Sequence, residues 1–397
     1  MPSVSEKGKN LPSSPIRKLT EYANKAKERG VEVFHLNIGQ PDIESPKVAL
    51  EAVKNNSLSI LSYGPSEGSE AFRTKMSAYY AGHQISVTSN QILVTTGASE
   101  ALTMTLGCIA NEGDEIIIPE PFYANYGAFA AANGISICPV TSSLENQFAL
   151  PPIAEIEALI TPKTKAILIC NPNNPTGYLY SEKEIRELGE IAIKHDIFLI
   201  SDEVYREFVY DGATHFSILQ IPNIEQHGIL IDSMSKRYSM CGARIGCIVT
   251  KNEEVISTAL KYAQSRLSPP SYAMIASEAA LDTPESYFEG INLEYQNRRD
   301  TLINGLRSIE GVSVAKPQGA FYCLVKLPIQ DAEHFAQWLL ENFNDNNQTI
   351  MVAPANGFYS SGKEGETMIR IAYVLNEKAL NRSVDLLKKA LEIYSNP

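Results

Sequence analysis

Residues 233–246 read SMSKRYSMCGARIG. One lysine, Lys236, lies between two hydroxyls, Ser233 and Ser235, and an arginine, Arg244, that is flanked by Gly242 and Gly246. The set follows directly on the apolar run GILID. A lysine amine at a buried site serves either as a structural ion-pair partner or as a nucleophile or base. Two hydroxyls and a guanidinium fork beside it suit a dianionic phosphate. Three more apolar runs end on chemistry-bearing residues. ILVTT is followed by Gly97-Ala98-Ser99; a helix opening there offers free N–H groups to a phosphate, or is simply capped by Ser99. AILIC is followed by NPNNPTG, whose prolines make either a rigid turn aiming Asn174 or an ordinary Asx-type loop. IFLIS is followed by Asp202, with Tyr205 three residues on. A carboxylate at a buried strand end needs a partner, be it a helix cap, a core salt bridge or a ligand. Each feature alone has a plain structural reading. Their clustering at the carboxyl ends of strands, where open α/β sheets bind ligands, points to one site.

The elements that must position these residues are legible as alternating patterns. From about Pro46 to Leu281, short apolar runs (ILVTTG, EIIIPEP, SICPV, AILICNP, IFLISDE, GILIDS, RIGCIVT) alternate with helical segments such as SEKEIRELGEIAIKHD, where Ser181 and Glu184 form a capping-box pair. Continuous apolar strands separated by helices predict an α/β unit, a mostly parallel seven-stranded sheet covered on both faces. We expect residues 46–281 to form this large domain. Residues 1–45 plus 282–397 are expected to form a smaller α+β domain. Its parts are a polar arm, a helix IRKLTEYANKAKERG closed by Gly30, a short strand VFHLNIG, a long helix from SYFEG to SIEG, strands SVAKP, AFYCLVKL and TMIRIAY, and two amphipathic helices.

Composition narrows the function classes. The 397 residues are 44% hydrophobic and 20% charged, ordinary for a soluble globular protein. A net charge of −12 argues against a general nucleic-acid surface. No apolar run approaches membrane-spanning length, and the first residues, MPSVSEKGKNLPSSP, lack an apolar signal core. The six cysteines form no CxxC pair and several sit in strand-like runs. They read as free thiols of a reducing compartment, so we expect a cytoplasmic protein with no membrane or nucleic-acid partner and no metal.

Ser233-x-Ser235-Lys236, followed after five residues by Gly242-x-Arg244-x-Gly246, resembles the lysine motif of the class I/II aminotransferases, fold-type I enzymes that use pyridoxal 5′-phosphate (PLP). NIGQPD, YGPSEG, TTGASEAL, NPNNPTG, SDEVY and IRIAY match the family in order and spacing, so the resemblance covers essentially the whole chain. It implies that Lys236 is the Schiff-base lysine and proton shuttle, that Asp202 faces the cofactor's ring nitrogen, and that Asn174 and Tyr205 bond its phenolic oxygen. It further implies that Tyr123 stacks on the ring, that Gly97, Ala98, Ser99, Ser233, Ser235 and Arg244 cradle the phosphate, and that Tyr63 reaches it from the other subunit of a homodimer. Arg370, with Asn174 and the Gly39 N–H, would grip the substrate α-carboxylate. The implied activity is ping-pong transfer of an amino group from an L-amino acid, aspartate or a broader set, to a 2-oxo acid. One group of dicarboxylate-specific relatives carries a lysine where this chain has Ser99, so any second cation must come from elsewhere, for instance Arg17. Gly319–Tyr322 and Phe358-Tyr359 suggest either an aromatic pocket lining or ordinary core. A β-eliminating lyase on the same fold shares every cofactor residue, and a non-catalytic regulator is a further alternative.

Overall fold

The computed structural model describes every residue except Met1, Asn10, Ser13, Gly362 and residues 395–397. Its strands are, in chain order, β1 (Glu32–His35), β2 (Ile92–Thr95), β3 (Glu115–Glu120), β4 (Ser136–Thr141), β5 (Thr164–Cys170), β6 (Phe198–Asp202), β7 (Gly228–Ser233), β8 (Gly246–Val249), β9 (Ser313–Val314), β10 (Tyr322–Lys326), β11 (Gln348–Met351), β12 (Ala353–Pro354) and β13 (Met368–Ala372). All seven strands expected of the large sheet form it, in the order β2-β8-β7-β6-β5-β3-β4. Their apolar side chains are buried on both faces, as in β5 and β7. That is why these runs are continuous rather than alternating.

The sheet is parallel except for β8, which runs antiparallel to both its neighbours, β2 and β7. This reversal has a direct consequence. The residues that precede β8, not those that follow it, lie at the sheet's carboxyl edge, where Gly246 pairs with Thr95 on one side and Ser233 on the other. Arg244 is thereby delivered beside Gly97. The helix after β5 (Glu182–Lys194) starts at the expected capping box, with the Ser181 hydroxyl accepting from Glu184 N–H and the Glu184 carboxylate from Ser181 N–H.

Outside the large sheet there are two smaller ones, and the two ends of the chain meet in the first. β1 pairs in parallel with β11, and β9, β10, β13 and β12 form an antiparallel sheet. Two differences from the sequence expectation have local causes. β11 and β12 were not anticipated because β12 is a two-residue strand and β11 follows the polar turn NDNN. The first long helix begins at Thr20 rather than Ile16. Pro15 lies just ahead, the N–H groups of Arg17 and Lys18 both turn onto the Ser14 carbonyl, and the Ile16 carbonyl accepts from Asn37 Nδ2. Residues 14–19 are thus a turn tied to the segment after β1, not a helix. Among the described residues no helix is long and apolar enough to cross a membrane.

Candidate active site

The carboxyl edge of the large sheet opens into a cavity of about 560 Å³. Every site residue named from the sequence lines it except Gly97 and Tyr63. Gly97 lies just beneath the wall. Its φ is +78°, and a Cβ there would sit 2.3 Å from the Arg244 guanidinium, so only glycine permits both the backbone and the close approach. Tyr63 is 79% exposed and outside the cavity of its own chain.

Lys236 occupies a single helical turn, Met234–Arg237, directly after β7. The Ser233 hydroxyl caps that turn by accepting from Ser235 N–H at 3.1 Å, and it bonds the Ser235 hydroxyl at 2.9 Å. The amine donates to the Gly39 carbonyl at 2.8 Å, lies 3.7 Å from Cys241 Sγ, and pairs with no carboxylate among the described residues. Gly39 is itself required by packing, since a Cβ would overlap the Tyr322 hydroxyl.

The helix Gly97–Ile109 opens onto the cavity without a side-chain cap. Its free N–H groups and the positive end of its dipole lie next to Ser233, Ser235 and Arg244, an arrangement that suits a phosphate. Arg244 holds a left-handed backbone, φ 56°, which is uncommon for a non-glycine residue and aims its side chain over Gly97. Gly246 is equally constrained, because a Cβ would lie 2.6 Å from Ala98 N.

Asp202, at the end of β6, is 4% exposed. Tyr126 donates its hydroxyl to Oδ2 at 2.8 Å and the Val204 N–H reaches Oδ1 at 3.4 Å. These two bonds do not offset desolvation, so burial pushes the carboxyl up to about 6. Across the cavity, Arg370 is 1% exposed. Its guanidinium donates to Asn174 Oδ1 at 3.1 Å and to the Asn37 carbonyl, and lies over the rings of Tyr322 (4.6 Å) and Phe358 (5.0 Å). Its Nε has no partner, and no carboxylate pairs with it among the described residues. Asn174 also reaches the Tyr205 hydroxyl at 3.4 Å, and Tyr205 bonds the Tyr322 hydroxyl at 2.9 Å. Burial pushes the Tyr123 phenol up to about 12, so it stays a neutral ring at the cavity wall.

Sequence reasoning missed Tyr126, Asn37 and Cys241. Tyr126 follows Tyr123 by three residues in FYANY, the spacing that puts two side chains on one helical face, and was the findable one. Of the suggested aromatic lining, Tyr322 lines the cavity, whereas Phe358 and Tyr359 are buried in a separate apolar cluster with Leu324 and Met368. Those two are core, although Phe358 backs Arg370.

The fold and the cavity together define a candidate enzyme site, a strand-end lysine beside groups that suit a phosphorylated, amine-reactive ligand. The family model for aminotransferases of class I and II matches residues 31–387, and the chain belongs to that family. It is 31% identical to an aspartate aminotransferase of Bacillus subtilis (strain 168), over 97% of this chain and 98% of that protein. Among solved structures it resembles an aspartate aminotransferase from Thermus thermophilus with maleate (28% identity, TM-score 0.89, 98% and 100% of the two chains). It also resembles an alanine aminotransferase from Pyrococcus furiosus (29%, 0.90, 99% and 100%). The activity is transamination, and members of the family use PLP. The residues present fit that group. The uncapped helix start suits a phosphate, Asp202, buried with no cation beside it, suits a cationic nitrogen, and Arg370, a buried fork with an orphan Nε, suits a carboxylate.

Proposed function

We propose that the chain is a cytoplasmic homodimeric aminotransferase that passes the amino group of an L-amino acid, aspartate or a broader set, to a 2-oxo acid through Lys236. The carrying observation is the cavity's charge pattern: an amine without a carboxylate, one buried acid without a cation, and one buried arginine without an acid. PLP, when bound, supplies an aldehyde that takes up the amino group and a ring that draws off the electrons left when the substrate Cα loses its proton.

The chain's own residues do the rest. Lys236 Nζ is the amine that would hold the cofactor and, when not so engaged, would take and return the proton at the substrate Cα. Asp202, oriented by Tyr126, would stabilise a protonated nitrogen of the cofactor. Asn174 and Tyr205 would supply hydrogen-bond donors to the cofactor, and Tyr123 would supply an aromatic wall for it. The N–H groups at Gly97–Ser99, the Ser233 and Ser235 hydroxyls and Arg244 bind the phosphate. Arg370 takes the substrate α-carboxylate as a fork, with Asn174 and Gly39 beside it.

Several observations support the assembly and its setting. Leu58, Ile60, Leu61 and Tyr63 are exposed in one stretch, near exposed Leu267 and Tyr272, an apolar patch suited to a second copy of the chain. Tyr63 would then reach the partner's phosphate site. The proposed division into residues 46–281 and 1–45 plus 282–397 is supported by the sheets, since strands of the seven-stranded sheet fall within 92–249 and β1 pairs with β11 from the C-terminal part. All six cysteines are free, in keeping with a reducing compartment. Borohydride reduction of the PLP-loaded protein, followed by peptide mass spectrometry, tests the assignment. The label is expected on Lys236 and absent from Lys236→Ala; a label that survives this substitution overturns it.

A further inference from the structure

Tyr322 lines the cavity among groups that the proposed function uses, yet that function gives its hydroxyl nothing to do. The hydroxyl lies 2.9 Å from that of Tyr205, the one hydrogen bond found for it among the described residues. The side chain is held on all sides. It is 2% exposed, with the Arg370 guanidinium 4.6 Å over its ring and the Tyr205 ring at right angles, 5.5 Å away. Its hydroxyl sits so close to Gly39 that a Cβ there would lie 1.7 Å from it. The backbone leading into Tyr322 is tied to the turns that carry its neighbours. Gln318 and Gly319 N–H donate to the Gly177 carbonyl, in the turn of Asn174, and Ala320 N–H donates to the Phe208 carbonyl, three residues past Tyr205.

The protons of this cluster can be counted. Arg370 donates to Asn174 Oδ1, which leaves the amide nitrogen facing Tyr205, and Nδ2 reaches the Tyr205 oxygen at 3.4 Å. An amide nitrogen only donates, and a phenol has one proton to give. If Tyr205 gave its proton to Tyr322, none would remain for a ligand. If Tyr322 gives its proton to Tyr205, the Tyr205 proton is released toward the cavity. The two hydroxyls then form a chain in which each bond polarises the next. An oxygen carrying negative charge in the cavity selects that second arrangement. Burial pushes the Tyr205 phenol well above its ordinary range, so it stays a neutral donor.

We infer that Tyr322 is a positioning residue of the reaction: its hydroxyl donates to Tyr205, and so aims and strengthens the hydrogen bond that Tyr205 gives to the cofactor's phenolic oxygen. This rests on the aminotransferase reading and on Tyr205 as a donor to that oxygen. A stronger donor favours the form of the cofactor in which the oxygen holds its negative charge unshared. In that form the nitrogen joining the cofactor to Lys236 carries no proton. Tyr322 thereby lowers the pH at which that nitrogen is protonated.

The test reads the cofactor's absorbance rather than turnover. The PLP-loaded parent, Tyr205→Phe, Tyr322→Phe and the double variant are titrated with acid and base, and the pH midpoint of the cofactor band is recorded for each. Phenylalanine keeps each ring in place and removes only the hydroxyl. The midpoint is expected to rise by about half to one pH unit in Tyr322→Phe, the size of one neutral hydrogen bond, and by more in Tyr205→Phe. Because Tyr322 acts through Tyr205, the double variant should match Tyr205→Phe alone. A midpoint that fails to rise in Tyr322→Phe, or two shifts that simply add in the double variant, overturns the inference while leaving the aminotransferase reading intact. A parent that gains no cofactor band on loading with PLP overturns that reading, and the inference with it.

Discussion

Asp202 and Asp232 sit near the carboxyl ends of neighbouring strands, both almost wholly buried, and they live in opposite electrostatic settings. Asp232 is satisfied by the protein: Arg237 grips both its oxygens at 3.0 and 2.8 Å, Tyr80 donates at 2.8 Å and Ser233 N–H at 2.7 Å. Arg237 is backed in turn by Glu207 and the Tyr79 ring. Asp202 has a tyrosine and one backbone N–H, but no cation in pairing distance. The alternation of a strand places Ser233 toward the cavity and its neighbour Asp232 away from it. Lys236 and Arg237, adjacent in sequence, divide the same way: the lysine faces the cavity and the arginine closes the network behind it. Charge behind the sheet is completed by the fold, while charge facing the cavity is left for a ligand to complete.

The largest way to break the cavity half is Lys236→Ala. Loss of the group proposed to move a proton at the substrate Cα should lower kcat by about 10⁴-fold, read in steady-state assays, with the thermal midpoint of the cofactor-free protein nearly unchanged. The network half breaks differently. Asp232→Ala takes from the buried Arg237 its two-oxygen partner and leaves it only Glu207, and should cost about 3–5 kcal/mol of folding stability in urea titrations. An Asp232→Ala protein as stable as its parent would erase the distinction between the two carboxylates.

Much of this was visible beforehand, for a physical reason. The sheet strands are buried on both faces, so their apolar runs are uninterrupted, and the functional residues sit at the run ends where the pattern stops. That places Asp202, Asn174, Ser233 and Lys236 without any structure. What stayed hidden depends on non-local packing. Asn37 acts through bonds to Ile16 and Arg370, residues 21 and 333 positions away. Tyr126 reaches Asp202 across 76 residues. Phe358 and Tyr359 are core rather than lining because a small apolar cluster encloses them, which composition cannot decide. The antiparallel turn of β8, which brings Arg244 to the site, likewise has no signature in RIGCIVT.

Asp202→Asn sharpens the comparison because its effect on stability should have the opposite sign to that of Asp232→Ala. Burial holds the Asp202 carboxyl near 6 against an ordinary 3.8, with Asp232 raising it and Lys236 lowering it. Between those two values the folded cofactor-free chain binds more protons than the unfolded one, so stability declines as pH climbs from about 4 to 6 and is level above. The loss amounts to about 3 kcal/mol. Glu203, pushed by burial up to about 7, adds a slope of the same sign in both proteins. The difference between parent and Asp202→Asn therefore isolates Asp202. Urea midpoints from pH 4 to 8 should show the variant gaining on the parent as pH rises, while its PLP affinity and turnover fall. A parent and variant with parallel pH profiles would mean that Asp202 is already satisfied by the protein.

Arg370→Lys is the smallest and most selective break. The parent guanidinium spends Nη1 on Asn174 and Nη2 on the Asn37 carbonyl, and lies between two aromatic faces with Nε unpaired. A lysine keeps the positive charge but offers a point donor in place of a planar fork, and stacks less well on Tyr322 and Phe358. The site keeps its charge and loses its two-point geometry. KM for amino and oxo acids should accordingly rise about tenfold to a hundredfold, with a smaller change in kcat and no change in the amount of PLP retained after gel filtration. Equal KM values in parent and variant would show that charge alone suffices. Arg370 would then belong with Arg237, as an arginine kept for the fold.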